Sequence, residues 1–505
     1  MRVSLVFAVV VSCLAGFAVV LLPLLVSILA AGVAAMALVL VVTRAVLTPS
    51  RSRSRHTAIA LQSAAAADSP QLYGDDALGN AHAFTFSRRV YYLGVFTIGF
   101  LVVRPAFSFT LSDWLFLASL LLTIVVVLRT RTAVGLQLPA GVICGAALFA
   151  VGGLISSTQA INPVASTAVV FRVLYLIIPW FWLGTIVLRT SGHVLVAVNA
   201  WVMSAAISGL AAVVQFLGGD IVPGGDIAYG RATGLTGHFN DLGGLAAVSF
   251  VPALMLAVRT QGMMRAVNYC ALALVGAGLL FSGSVGALLA ASASTAVWLA
   301  AGRRARPTVL LLVGLLAVAI LFARAEGARD SPSPLQRVSR VTQADAPRTS
   351  GGTLYSRIDV YRSAWDQIAR QPLVGVGLDA ASSSQRLELE VHNIILLPWF
   401  TAGILGITGI LVLLGSLIHT GLDVLKRTRD SDDLALAISL HASFVAFLIF
   451  GMSEPVLYVR YGWVPAALLL ALRVQYLRIP GSERTFTTSN HSRHTQPSER
   501  VVGAR

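Results

Sequence analysis

The chain reads as long apolar runs broken by short polar connections. A run of about 18–20 apolar residues crosses a bilayer as a helix, because hydrocarbon tolerates only backbone whose hydrogen bonds close within the segment. By that test the pattern predicts an all-α, polytopic membrane protein with about fourteen spans. The first two, Val3–Val20 and Leu22–Val42, meet at Pro23 as a hairpin. Val90–Phe107, Trp114–Leu128, Leu136–Ile155, Thr167–Leu188 and Val194–Leu217 follow. The second half contributes Leu242–Val258, Ala266–Phe281, Val285–Ala301, Pro307–Phe322, Asn393–Ile418, Leu434–Met452 and Val456–Leu477. A signal peptide is the rival for the first run, but no small-residue cleavage site leads into a polar mature start.

The polar stretches complete the layout: an N-terminal hairpin (1–42), a flexible cytoplasmic linker (43–89), a first helical block (90–322), a large outer loop (323–391), a second block (392–478) and a disordered cytoplasmic tail (479–505). Within the outer loop Leu354, Ile358, Tyr361, Trp365 and Ile368 recur at steps of four, three, four and three. That spacing predicts an amphipathic helix ended by Pro372 and followed by Gly375-Val376-Gly377.

Charge orients the layout. Arg44, Arg88, Arg129, Arg189, Arg259, Arg303 and Lys426, with their basic neighbours, fall in every second connection. The positive-inside bias makes those connections and both termini cytoplasmic. The net charge of +15 therefore reflects orientation toward an anionic inner leaflet and says nothing of a nucleic-acid partner. Charged residues are only 12% of the chain, too few for the hydrated basic face a nucleic-acid binder needs. Cys13, Cys144 and Cys270 lie apart in apolar runs, without metal-ligand spacing, and read as small packing residues.

Two outer segments carry candidate chemistry. Gly218–Gly244 holds Asp220, Asp226, Arg231, His238, Asn240 and Asp241 among glycines that let backbone N–H groups approach an anion. Arg231 adds a donor fork suited to phosphate oxygens. The plain alternative is a tight loop whose glycines serve turns and whose arginine meets lipid head groups. The amphipathic helix brings Arg357, Arg362 and Arg370 ahead of Glu388, Glu390, His392 and Asn393 at the mouth of a span. A neutral imidazole there would accept a proton from a sugar hydroxyl; an interfacial anchor is the competing role. Asp220 and Asp226 form no dense ligand cluster, so no metal or cofactor is expected. Arg172 and Glu454, costly in a membrane, would line a wet path or pair with each other.

Arg357-Ile-Asp-Val-Tyr-Arg-Ser-Ala-Trp365, Gln371-Pro-Leu-Val-Gly-Val-Gly-Leu378, and His392-Asn-Ile-Ile-Leu-Leu with Gly403-Ile-Leu-Gly406 resemble the signature of the O-antigen ligase and polymerase family. Arg231-Ala-Thr-Gly and Asn240-Asp-Leu-Gly are similar to its earlier outer loop. Ser282-Gly-Ser284-Val-Gly286 resembles its Ser-x-Ser-Arg-Gly turn, with Val285 where many relatives carry arginine. The resemblance, over roughly residues 90 to 478, implies a metal-independent, inverting membrane glycosyltransferase of the GT-C type. Its donor would be a glycan on undecaprenyl diphosphate and its acceptor a hydroxyl of a glycan, lipid or wall component, with the active site on the outer face. By residue matching Arg231 and Arg357 would hold the diphosphate and His392 would activate the acceptor. Asn393, Arg362, His238 and Asn240 are secondary candidates.

Polymerase and ligase need the same diphosphate clamp and base, so the residues do not separate them. From other classes, a flippase of polyprenyl-linked sugars predicts internal repeats and charged residues near the midplane. A non-catalytic partner in envelope assembly would leave the arginine and histidine placement unexplained.

Overall fold

The structure, a computed structural model, describes residues 84–103, 109–130, 135–219, 231–301, 354–387, 390–428 and 430–477. Those residues form helices and turns without an extended strand. In chain order the helices are α1 (Thr85–Phe96), α2 (Leu111–Thr130), α3 (Ala140–Ser157), α4 (Pro163–Val187), α5 (Ser191–Phe216), α6 (Phe239–Arg259) and α7 (Gly262–Phe281). They continue with α8 (Val285–Ala301), α9 (Leu354–Arg370), α10 (Ala380–Arg386), α11 (Leu396–Arg427), α12 (Ser431–Gly451) and α13 (Arg460–Leu477).

Among the described residues eight helices, α2 to α7, α11 and α12, are long and apolar enough to cross a membrane, as a polytopic membrane protein requires. The shorter apolar α8 and the 18-residue α13 coincide with two further expected spans. The expected spans Val3–Val20, Leu22–Val42 and Pro307–Phe322, most of the 43–89 linker and the whole tail lie outside the described residues. The amphipathic helix falls where its spacing placed it, at α9.

Two expected spans differ. The helix expected over Val90–Phe107 begins at Thr85 and stops at Phe96, 12 residues in all. The Thr97 hydroxyl folds back onto Leu93 O and Gly94 O, and Val102 N–H then bonds Leu235 O, carrying the chain to the loop before α6. The span expected to open at Asn393 is broken at Gly403, whose φ of 67° and ψ of −161° are not helical.

The central helix is α6: every residue from Leu242 to Ala257 is buried. A helix apolar on all sides is stable only when neighbours cover it all round, here α5, α7, α8, α12 and α13. Helices α3 and α11 lie backbone to backbone. A Cβ on Gly145 would sit 2.7 Å from Gly409 O, so small residues are what let them approach. One buried ion pair ties the starts of α2 and α13: Arg460 Nε lies 2.8 Å from both Asp113 oxygens and Nη2 lies 2.6 Å from Oδ2. With 2% and 6% of these side chains exposed, each charge depends on the other.

The starts of α6, α8 and α11 and the ends of α7 and α12 converge at one end of the bundle. Ile394 N–H bonds Gly451 O, joining the start of α11 to the end of α12. Gly286 packs directly on Ser453, joining α8 to α12.

Candidate functional site at one end of the bundle

The centre of that end is Glu454. Helix α12 stops at Gly451, the N–H groups of Met452 and Ser453 turning back to Ile449 O and Phe450 O. Pro455 then holds Glu454 away from helical geometry, because a residue preceding proline clashes with the ring in that conformation. Each carboxylate oxygen takes one cationic or imidazole partner. Arg357 Nη2 donates to Oε1 at 2.8 Å, and His392 Nδ1 lies 3.1 Å from Oε2.

Burial pushes the Glu454 carboxyl up, but the His392 hydrogen bond and the Arg357 charge outweigh it and hold the group below the ordinary carboxylate value. An ionised carboxylate only accepts, so His392 Nδ1 carries a proton, and in the neutral ring Nε2 presents the lone pair. The His392 side chain is 28% exposed, within reach of a substrate, whereas Glu454 is 7% exposed. Nearby, desolvation raises Glu390, with His392 pulling it down and Glu454 pushing it up.

Backbone contacts fix the imidazole. Tyr361 donates its hydroxyl to His392 O at 2.5 Å. Asn393 Oδ1 accepts from the N–H groups of Ile395 and Leu396, both at 2.9 Å, and its amide donates to Met452 O. Asn393 thus satisfies the first N–H groups of the turn that leads into α11 and sets where His392 emerges.

The glycines after α9 have a mechanical reason. Val376 and Gly377 donate to Phe400 O and Thr401 O, both at 3.0 Å, at the place where α11 breaks. A Cβ on Gly375 would lie 2.1 Å from Thr401 C, and one on Gly403 would lie 2.2 Å from Leu373 O. The Pro-Leu-Val-Gly-Val-Gly segment therefore docks into the kink of α11 and anchors the C-terminal end of α9, whose earlier turns carry Arg357.

The second cluster is built on Arg231. Its Nε donates to Ser282 O and its Nη2 to Asn240 Oδ1, both at 2.6 Å, and its guanidinium lies 3.5 Å over the Phe239 ring. The Gln215 carbonyl holds the segment by accepting from Thr233 N–H and Gly234 N–H. Asp241 receives the Tyr461 hydroxyl at 3.1 Å. Arg231 is 7% exposed, so the expected phosphate donor is a packed, pre-oriented group with two of its donors already spent on protein.

The structure brings Arg357, His392 and Asn393 together at Glu454, and Arg231, His238 and Asn240 together at the start of α6. The Glu454 and Arg231 charges both act on His238, and Gly243 packs on Ser282 while Gly286 packs on Ser453, so the two clusters lie near one another. Arg362 is not gathered: it lies on the exposed face of α9, 3.9 Å from Asp359. Asp220, Asp226 and Glu388 lie outside the described residues. The pairing of Arg172 with Glu454 does not occur, because Glu454 has taken Arg357 and His392. Sequence reasoning missed Glu454 as the hub, although an acid immediately before proline at a span mouth was its signal. Tyr361 belongs to the apolar stripe of α9 by spacing alone, and only its hydroxyl contact with His392 O brings it into the site.

These features define a multi-span helical membrane protein with an arginine–carboxylate–histidine cluster at one end of its bundle. Residues 270–411 match the family model described as O-antigen ligase, so the resemblance holds over that stretch. The match takes in Ser282, Arg357, His392 and Gly403 but stops short of Arg231 on one side and Glu454 on the other. No curated protein matches the chain.

Proposed function

We propose that the protein transfers a glycan from an undecaprenyl-diphosphate carrier to an acceptor hydroxyl at the outer face of the bacterial inner membrane. The observation that carries this reading is the Glu454 carboxylate shared by His392 Nδ1 and Arg357 Nη2, an arrangement that suits His392 to act as a base. The acceptor hydroxyl gives its proton to His392 Nε2 as its oxygen bonds the anomeric carbon. The bond from that carbon to the diphosphate oxygen breaks with its electron pair, and the configuration inverts. Arg231 and Arg357 meet the negative charge that grows on the leaving diphosphate, the task a metal performs elsewhere. No cofactor enters this scheme, and transfer should survive chelation.

Purified protein supplied with an undecaprenyl-diphosphate oligosaccharide and its acceptor should form product. His392→Ala should fold normally and lose transfer by roughly 10²–10⁴; unchanged transfer by that variant would remove His392 as the base. In the host, deletion separates the two branches. Single units without long chains indicate polymerase, whereas accumulated carrier-linked chains indicate ligase, and unaltered surface glycans would overturn the proposal.

A further inference from the structure

His392 is not the only histidine at this end of the bundle. His238 sits at the start of α6, where its ring Nδ1 accepts the backbone N–H of Asn240 at 3.3 Å. Its carbonyl is held by the Thr236 hydroxyl at 2.8 Å and by Leu242 N–H at 3.0 Å, so the residue's backbone is fixed. The ring lies 4.3 Å from that of Phe239, whose own ring carries the Arg231 guanidinium at 3.5 Å.

A ring nitrogen that accepts an N–H has its lone pair there and no proton. A neutral His238 therefore carries its hydrogen on Nε2, at the far edge of the ring, on an exposed residue. A neutral His392 is held the opposite way, with its proton on Nδ1 toward Glu454 and its lone pair on Nε2. Two histidines are thus locked in complementary tautomers by unrelated partners, one a backbone amide and the other a carboxylate. Desolvation lowers His238 below its usual 6.5; Glu454 pulls it back up while Arg231 pushes it down, and the net lowering favours the neutral ring.

We infer that His238 is a neutral hydrogen-bond donor to a phosphate oxygen of the carrier diphosphate, working from its Nε2–H alongside the Arg231 guanidinium. This rests on the donor reading above and adds a residue of a different kind to the clamp. Arg231 supplies charge. His238 supplies a directed N–H that ties the phosphate to the start of α6 without adding a second cation beside the first.

His238→Asn separates this role from that of a helix cap, since asparagine places an acceptor where Nδ1 stands and nothing where Nε2 stands. Binding of undecaprenyl diphosphate to the purified full-length protein, with the monophosphate as control, is the direct readout, followed by thermal unfolding. The variant should keep its unfolding temperature and lose roughly tenfold or more in diphosphate affinity. His238→Gln, with an N–H at the reach of Nε2 but no acceptor at the cap, should bind more tightly than His238→Asn and melt lower. Wild-type affinity in His238→Asn, or the reverse order of the two variants, would reduce His238 to a cap and leave the donor reading standing. Failure of the wild-type protein to bind undecaprenyl diphosphate would overturn the donor reading and this inference with it.

Discussion

Replacing Glu454 by glutamine tests the core of the site without changing its size. In the wild type one carboxylate accepts from two donors, His392 Nδ1 and Arg357 Nη2, at 3.1 and 2.8 Å. An amide offers one acceptor and one donor, so it satisfies only one of them. If its oxygen stays with Arg357, the amide N–H faces His392 Nδ1 and drives the ring into the other tautomer, abolishing the Nε2 lone pair. If its oxygen turns to His392, an N–H faces the guanidinium and Arg357 loses its partner.

Hydrogen bonds to charged groups are worth about 1.5–3 kcal/mol each. The Arg357 and His392 side chains are 26% and 28% exposed, so water recovers part of that loss. A stability cost of about 1–3 kcal/mol follows, small enough for the variant to remain folded. The chemical cost is larger: a histidine set in the wrong tautomer loses about 10⁴ in a fully buried triad, and a part-exposed site should lose roughly 10²–10³ in kcat. Single-turnover transfer from undecaprenyl-diphosphate oligosaccharide, normalised to monodisperse protein, reads this directly. Transfer by Glu454→Gln within threefold of wild type would refute the assignment of Glu454 as the residue that orients His392.

Arg357→Lys should fail to restore transfer, because a point charge cannot serve Glu454 and a phosphate at once as a planar fork does; full activity with lysine would show that charge alone suffices. Asp113→Ala should lower stability by about 3–5 kcal/mol by leaving Arg460 buried and unpaired, read as a fall in unfolding temperature; an unchanged temperature would mean that water reaches the pair. The Glu454 carboxyl is depressed in the folded protein, so its contribution to stability is complete above its unfolded value near 4.5 and is lost as pH falls through the folded one. Unfolding temperature should therefore drop less steeply below pH 4.5 in Glu454→Gln than in wild type, and parallel curves would contradict the pairing.

The helical membrane architecture was legible in the residues because hydrocarbon imposes a rule that can be read locally. A span must be apolar over its length, so α2 to α7, α11 and α12 stand out in the sequence. The amphipathic α9 was legible for the same reason, since its period lies within one segment. Boundaries set by distant contacts were not: α1 ends where Thr97 and the Leu235 loop capture it, and α11 breaks where residues 375–377 dock.

Candidate residues followed the same division. Arg231, Arg357, His238 and His392 were visible as polar residues of the right chemistry at span mouths. What each one does depends on partners far away in the chain. Glu454 lies 62 residues beyond His392 and 97 beyond Arg357, and no local pattern states that one carboxylate will hold both. The sequence by itself determined which segments enter the membrane and which side chains are left at their ends, because burial in hydrocarbon is a property of each segment. The tertiary structure alone decided which tautomer a neutral His238 or His392 adopts, because a proton's position on an imidazole is set by the group facing it.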